Sequence, residues 1–331
     1  MNIKKIGLTA LAGSLAMFAA NAAELAVSGK TELTYISEDK ASTGNPFGFG
    51  NEISFSASGD VNGITATYLA TISDGGIVAD NSVFASSSMT LDMGDMGLVA
   101  FDQGTAAYGV ATIDDKMPYA YEEAEYGTGG GNGQRADSTH MNTLAYVNTL
   151  AGYTLNFEYN PGTSTAASGD GSSTGAGTTE SGYSWALTGS PVEGLNVGIG
   201  YGKEESTLAP TTTTDEQYST VYATYAIGGA TIGYQIAEGT GGSVGSVANQ
   251  VEMYGVSFSV NENLAISYNI IDNKYAKTAA NADVTEKSTG VGASYTMGSA
   301  AVRVVANSTD NIGGVLATNE EIVEVSLMLS F

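Results

Sequence analysis

Asp114, Asp115, Glu122, Glu123 and Glu125 crowd five carboxylates into one short segment, whose only nearby bases are Lys116 and Arg135. Carboxylates at this density attract cations, and their oxygens are of the type that holds Ca²⁺. Structural Ca²⁺ at Asp114, Asp115, Glu122 and Glu123 is therefore one reading; a solvated acidic loop is the plainer, preferred one. Neither requires a cofactor. Covalent catalysis has little to work with. His140 is the only histidine, no nucleophile pattern surrounds it, and a carboxylate pair is unspecific among 35 acidic residues. The 331-residue chain has no cysteine, which removes thiol catalysis, disulfides and thiolate metal sites. An enzyme is not expected. The glycine tracts Gly127 to Gly133 and Gly169 to Gly177 lack the Lys-Ser/Thr ending of a phosphate-cradling loop. A formal net charge of −24 sets the chain against phosphate backbones, so nucleic acid is excluded as a partner.

The elements that must position these carboxylates belong to an exported chain. Lys4 and Lys5 precede an apolar and small-residue run from Ile6 to Ala20, and Ala20-Asn21-Ala22 offers a peptidase site. Residues 1–22 read as a signal peptide that is removed, leaving 23–331 as a single domain. The apolar run is short against the ~20 residues of a spanning helix. Cleavage would strip two lysines and no carboxylate, so the mature chain is more acidic still. No later run is long enough to form a transmembrane helix.

Period-two alternation fills the remainder. Tyr153, Leu155, Phe157 and Tyr159 alternate with Thr154, Asn156, Glu158 and Asn160. Leu195, Val197, Ile199 and Tyr201 alternate with Asn196, Gly198, Gly200 and Gly202. Such segments are half-buried strands. Sixteen are expected, at 25–37, 51–60, 64–73, 82–93, 97–102, 139–149, 153–160, 182–190, 195–204, 216–227, 230–238, 250–260, 264–273, 285–297, 301–308 and 319–331. Their connections alternate between long and short, the short ones carrying turn residues such as Val61-Asn62-Gly63. Long loops at one end and tight turns at the other describe a membrane barrel, with apolar residues toward lipid and polar ones toward a lumen. The fold class is thus all-β, a 16-stranded antiparallel transmembrane β-barrel with short periplasmic turns and long extracellular loops. It belongs in the outer membrane, against lipid and lipopolysaccharide.

The last strand adds its own signal. Phe331, Leu329, Leu327, Val325 and Val323 share one face and end in a terminal aromatic. This pattern resembles the signal read by the outer-membrane assembly machinery. With the opening Glu24 to Gly29, sixteen strands and a longest loop after strand five, the mature chain resembles a general porin of the alphaproteobacterial kind. The resemblance implies that the third external loop, 103–138, folds inward and narrows the pore. It also implies a homotrimer, and passive diffusion of small polar solutes. The short Pro-Glu-Phe-Gly-Gly signature of many porin loops is absent; Met117-Pro118-Tyr119 stands instead.

The expected constriction then comprises Asp102, Asp114, Asp115, Glu122, Glu123, Glu125 and Arg135 from the loop side. Lys30, Glu32 and Arg303 stand on the lumen wall. Lys30 and Arg303 share lumen parity on strands one and fifteen, which flank strand sixteen once the barrel closes. They should form one basic patch opposite the acids, partly neutralised by Glu32. Charges 8 Å apart interact by about 0.5 kcal/mol in water and about 2 kcal/mol at an effective dielectric near 20. Screening beyond roughly 8 Å trims this, leaving a moderate preference for cations. A substrate-selective channel and a surface adhesion barrel, with exposed loops such as 161–181, stand as alternatives.

Overall fold

The computed structural model describes residues 24–39, 44–73, 86–130, 143–162, 179–206, 213–243, 249–275 and 284–331. The expected signal peptide, Arg135 and His140 lie outside them. Sixteen antiparallel strands run in chain order. They are β1 (Glu24–Glu38), β2 (Phe47–Val61), β3 (Ile64–Ser73), β4 (Ser86–Asp92), β5 (Leu98–Gln103), β6 (Thr143–Leu150), β7 (Tyr153–Asn160) and β8 (Thr179–Val192). The second half holds β9 (Leu195–Ser206), β10 (Thr213–Ile227), β11 (Ala230–Ser243), β12 (Asn249–Ser259), β13 (Leu264–Tyr275), β14 (Val284–Met297), β15 (Ala300–Asp310) and β16 (Glu320–Ser330). Each strand pairs with its chain neighbour, and β1 pairs with β16, so the sheet closes into a barrel. Closure leaves no unpaired edge, which is what a sheet in hydrocarbon needs.

Burial runs opposite to that of a water-soluble sheet. On β16, Val323, Val325, Leu327 and Leu329 are each more than 40% exposed, whereas Ile322, Glu324 and Ser326 are buried. The exposed face is the apolar one, and the same holds for Leu155 and Phe157 on β7. A contiguous apolar outer wall is stable against lipid and a liability against water. Among the described residues no helix is long and apolar enough to cross a membrane; the crossing is by strands.

Tight turns join the strands at one end. Asn62 and Gly63 both take positive φ, 56° and 84°, as a two-residue hairpin turn requires. At the other end β2 starts at Phe47, four residues before its sequence pattern suggests. Gly48 and Gly50 look like loop residues, but pairing overrides them: Phe47 stands opposite Tyr35, their rings 5.3 Å apart.

Candidate functional site

The loop after β5 turns into the barrel, and the first carboxylate of the expected constriction makes that turn. Asp102 accepts hydrogen bonds from the backbone N–H groups of Gly104 (2.8 Å) and Thr105 (3.0 Å) and from the Thr105 hydroxyl. It is 2% exposed. Asp102 stands on the inner face that strand parity expects, and its oxygens are used by the backbone they redirect.

From this hinge the loop follows the inner wall strand by strand. Gly109 N–H donates to Asn156 Oδ1 on β7 (2.8 Å), and Val110 N–H donates to Ser184 Oγ on β8 (2.9 Å). A 3-10 turn at Gly109–Ile113 presses Val110 and Ile113 against Ala186, Tyr218 and Tyr222. Gln235 on β11 then donates to the carbonyls of Ile113 (2.8 Å) and Asp114 (3.0 Å) and accepts from Lys116 N–H (2.9 Å). Asn269 and Ser267 on β13 bind Pro118 O and Ala120 N–H. Asn307 on β15 donates to the carbonyls of Glu123 (2.8 Å) and Tyr126 (2.9 Å). The Thr128 and Thr309 hydroxyls meet at 2.6 Å.

Space for this path comes from missing side chains. A Cβ on Gly200 would lie 2.8 Å from Val110 and 2.9 Å from Ile113. On Gly233 and Gly255, which face each other across β11 and β12, it would lie 2.7 and 2.8 Å from the Pro118 ring. On Gly290 it would meet Ala124 at 2.9 Å. Apolar residues at lumen-facing positions complete the seat. Met117 and Ala124 pack on Val251, Met253 and Ile271, and Tyr121 packs on Val305, Ile322 and Ile36. These seat residues were not singled out from the sequence. Their signal was the break in alternation, as where Ile271 follows Ile270.

Docking draws the acids together along the loop. Burial, with the Glu123 carboxyl beside it and the Glu125 charge, pushes Asp115 up to about 8. Burial and the charges of Glu123 and Glu324 raise Glu122 to about 7. Glu125 also rises to about 7, from burial with Glu123 and Glu286 nearby. Asp114 is raised by burial and the Glu123 charge, against the opposing pull of Lys116 and backbone donors. Asp114 Oδ1 accepts from Asp115 N–H and Asp115 Oδ1 from Met117 N–H, so these oxygens serve the loop backbone. No group of three carboxylates or histidines with metal-holding geometry occurs among the described residues. Asp114, Asp115, Glu122 and Glu123, the expected Ca²⁺ ligands, are not gathered into such a group there.

The wall bases are placed differently from the expected joint patch. Lys30 Nζ turns to Glu52 on β2 (3.4 Å). Arg303 pairs with Glu32, which also accepts from the Ser326 hydroxyl. The two bases separate because β1 is paired on both sides: Lys30 stands opposite Glu52 in the β1–β2 register, while Arg303 reaches across β16. Nor does Arg303 face the loop across open space. The loop extends far enough for Tyr121 to lie on it, with the guanidinium carbon 4.4 Å from the ring centroid. The wall across the ring from the docked loop is β2 to β4. It carries Ser54, Ser56, Thr71 and Ser88 on its lumen face, and Ser54 and Thr71 are within 3.4 Å.

The sequence profile described as Gram-negative porin matches residues 7–314. A comparison with curated proteins finds no match. Among solved structures, OmpF of Salmonella typhi in complex with daunomycin is similar, with a TM-score of 0.70 and 16% identity. It covers 94% of this chain and 99% of that one. The trimer form of in-vitro folded OmpT from Vibrio cholerae gives 0.68 at 14% identity, covering 94% and 100%. An anion-selective porin from Comamonas acidovorans gives 0.64 at 15%, again covering 94% and 100%. At these identities the structures speak to fold, and the profile speaks to descent. The chain belongs to the Gram-negative porin family, outer-membrane β-barrels with a lumen narrowed here by the loop after β5.

Proposed function

We propose that the protein is a general diffusion pore of the outer membrane that passes small hydrophilic solutes and ions and prefers cations. It is a channel and not an enzyme. The observation that carries the preference is the charge balance at the loop. Asp114, Asp115, Glu122, Glu123 and Glu125 cluster there, while the wall guanidinium of Arg303 is paired with Glu32 and covered. Across the lumen stand hydroxyls, with Lys30 already paired to Glu52. The fold itself does not choose the sign, since an anion-selective porin has a similar barrel. Side chains do. Reversal potentials across a planar bilayer under a KCl gradient test this directly: cation preference is expected, and anion preference would refute it. Flux of neutral sugars that rises linearly with concentration is expected; saturation at low concentration would instead favour a substrate-selective channel.

A homotrimer is part of the same reading. Strands β5 and β7, bounded on both sides by described residues, hold only 6 and 8 residues. Six residues tilted in a barrel rise about 15 Å, against an apolar band of about 25 Å. Covering this low side with neighbouring copies would relieve the mismatch, and a solved relative is described as a trimer form. Residues 1–22 serve as the export signal, so the mature protein should begin at Ala23. Its other partners are lipid, lipopolysaccharide and the assembly machinery that reads Phe331, Leu329 and Leu327.

A further inference from the structure

We propose that Tyr121 is the positioning residue of the constriction, fixing the loop by stapling it across the seam where the barrel closes. The inference rests on the reading of the lumen as an ion path. Tyr121 is 7% exposed although it sits on a loop inside a pore. Its hydroxyl lies 3.1 Å from Glu32 Oε1 on β1 and contacts Glu324 on β16. Its ring covers Arg303 on β15 and packs on Val305 and Ile322. One side chain thus touches three consecutive strands of the ring, on both sides of the β1–β16 junction.

These contacts are mutually dependent. Arg303 pairs with the same Glu32 oxygen that the Tyr121 hydroxyl approaches, and Ser326 donates to that oxygen too. The strands themselves are held by the seam register, in which Arg303 faces Ser326 and Thr34 faces Ser326 from the other side. The pocket for Tyr121 therefore exists only when β1 and β16 have met. Seating of the loop follows closure of the barrel, and the width of the pore depends on residues of the wall that no ion needs to touch. Cation–π contact, apolar burial and hydrogen bonding act on one ring, so loss of the ring removes all three together.

The test is a double-mutant cycle on the full-length protein in planar bilayers, reading single-channel conductance and the cation-over-anion permeability ratio. Tyr121→Ala should raise conductance and lower the permeability ratio about twofold, because the acids move from the ion path. Tyr121→Phe, which keeps the stack on Arg303 and the apolar contacts but loses the hydroxyl's reach to Glu32 and Glu324, should fall between wild type and Tyr121→Ala. Arg303→Met should raise conductance as Tyr121→Ala does; the cycle is read on conductance, because this variant also removes a wall cation and frees Glu32, which by itself favours cations. Combined with Tyr121→Ala it should add little. Fully additive effects, or unchanged conductance in Tyr121→Ala, would overturn the proposal. If Tyr121→Ala does not assemble, Tyr121→Leu retains the contact with Val305 and Ile322 and carries the same expectation. A wild-type protein that opens no channel refutes the proposed function instead, whereas a normal channel indifferent to Tyr121 sinks only the staple.

Discussion

Gln235 on β11 and Lys116 on the loop are joined by a 2.9 Å hydrogen bond that completes a closed exchange. The amide accepts from Lys116 N–H and, through Nε2, donates to two loop carbonyls and lies 3.0 Å from the Thr220 hydroxyl. Gln235 is fully buried, so no water replaces it. Gln235→Leu keeps the approximate volume and strands three backbone groups, at about 1–3 kcal/mol for each one left unsatisfied. The barrel strands do not depend on this amide. The expected outcome is an intact barrel with a loosened loop, read as larger and noisier single-channel currents. Currents identical to wild type would show that the loop is held without it.

Gly200 makes a sharper steric case. Its missing Cβ is the floor on which Val110 and Ile113 rest. Gly200→Val adds a branched side chain that suits a strand but occupies the loop's seat, at about 1–3 kcal/mol of overpacking. The strand should therefore persist while the 3-10 turn lifts. Protease cleavage within the loop of the folded, detergent-solubilised protein should become faster than in wild type. Equal cleavage rates would place the loop's restraint elsewhere.

These two positions show what was legible in the sequence. Lipid on one side and water on the other impose a period of two on the strands, so sixteen could be counted from alternation together with the turn residues between them. Gly198, Gly200 and Gly202 were visible as the polar face of β9, but nothing local says that a loop from β5 lies on them. Glu32 and Arg303 could be assigned to the lumen by parity. That Glu52, not the loop, takes Lys30 depends on the stagger of the β1–β2 hairpin, which a long connection does not fix. For Asp102, parity gives the face of the side chain and not whether its oxygens are already used. The apolar lumen residues Val251, Met253, Val305 and Ile322 were the available clue to the loop's path.

Phe331 closes the seam. Its N–H donates to Gly29 O (2.9 Å), and its carbonyl accepts from Gly29 N–H (2.7 Å). The ring is 75% exposed on the outer wall, where Leu329 and Leu327 follow on the same face. Deleting Phe331 removes two ladder bonds from the junction and the terminal aromatic from the outer surface. Heat-resistant barrel in outer-membrane fractions should fall well below wild type, while Phe331→Tyr should keep most of it. Normal levels after deletion would remove the assembly role of this terminus.

The loop carboxyls make selectivity depend on pH, and the sign follows from the direction of their shifts. Asp115 near 8 and Glu122 and Glu125 near 7 retain protons where a solvated carboxylate has lost them. Their negative charge is complete only above these values. Cation preference should therefore be greatest in alkaline medium and decline as pH falls through 8 and then 7. Docking responds in the opposite sense. A carboxyl raised in the docked loop penalises docking progressively as pH climbs from the ordinary carboxylate range to its raised value, so the seat is tighter in acid. The lumen is wet, which screens the effect and keeps it moderate. Reversal potentials measured from alkaline to mildly acidic buffer should show the decline. The combined Asp115→Asn, Glu122→Gln and Glu125→Gln variant should flatten it. A wild-type preference that stays constant through neutral pH would mean that these acids do not set the charge of the ion path.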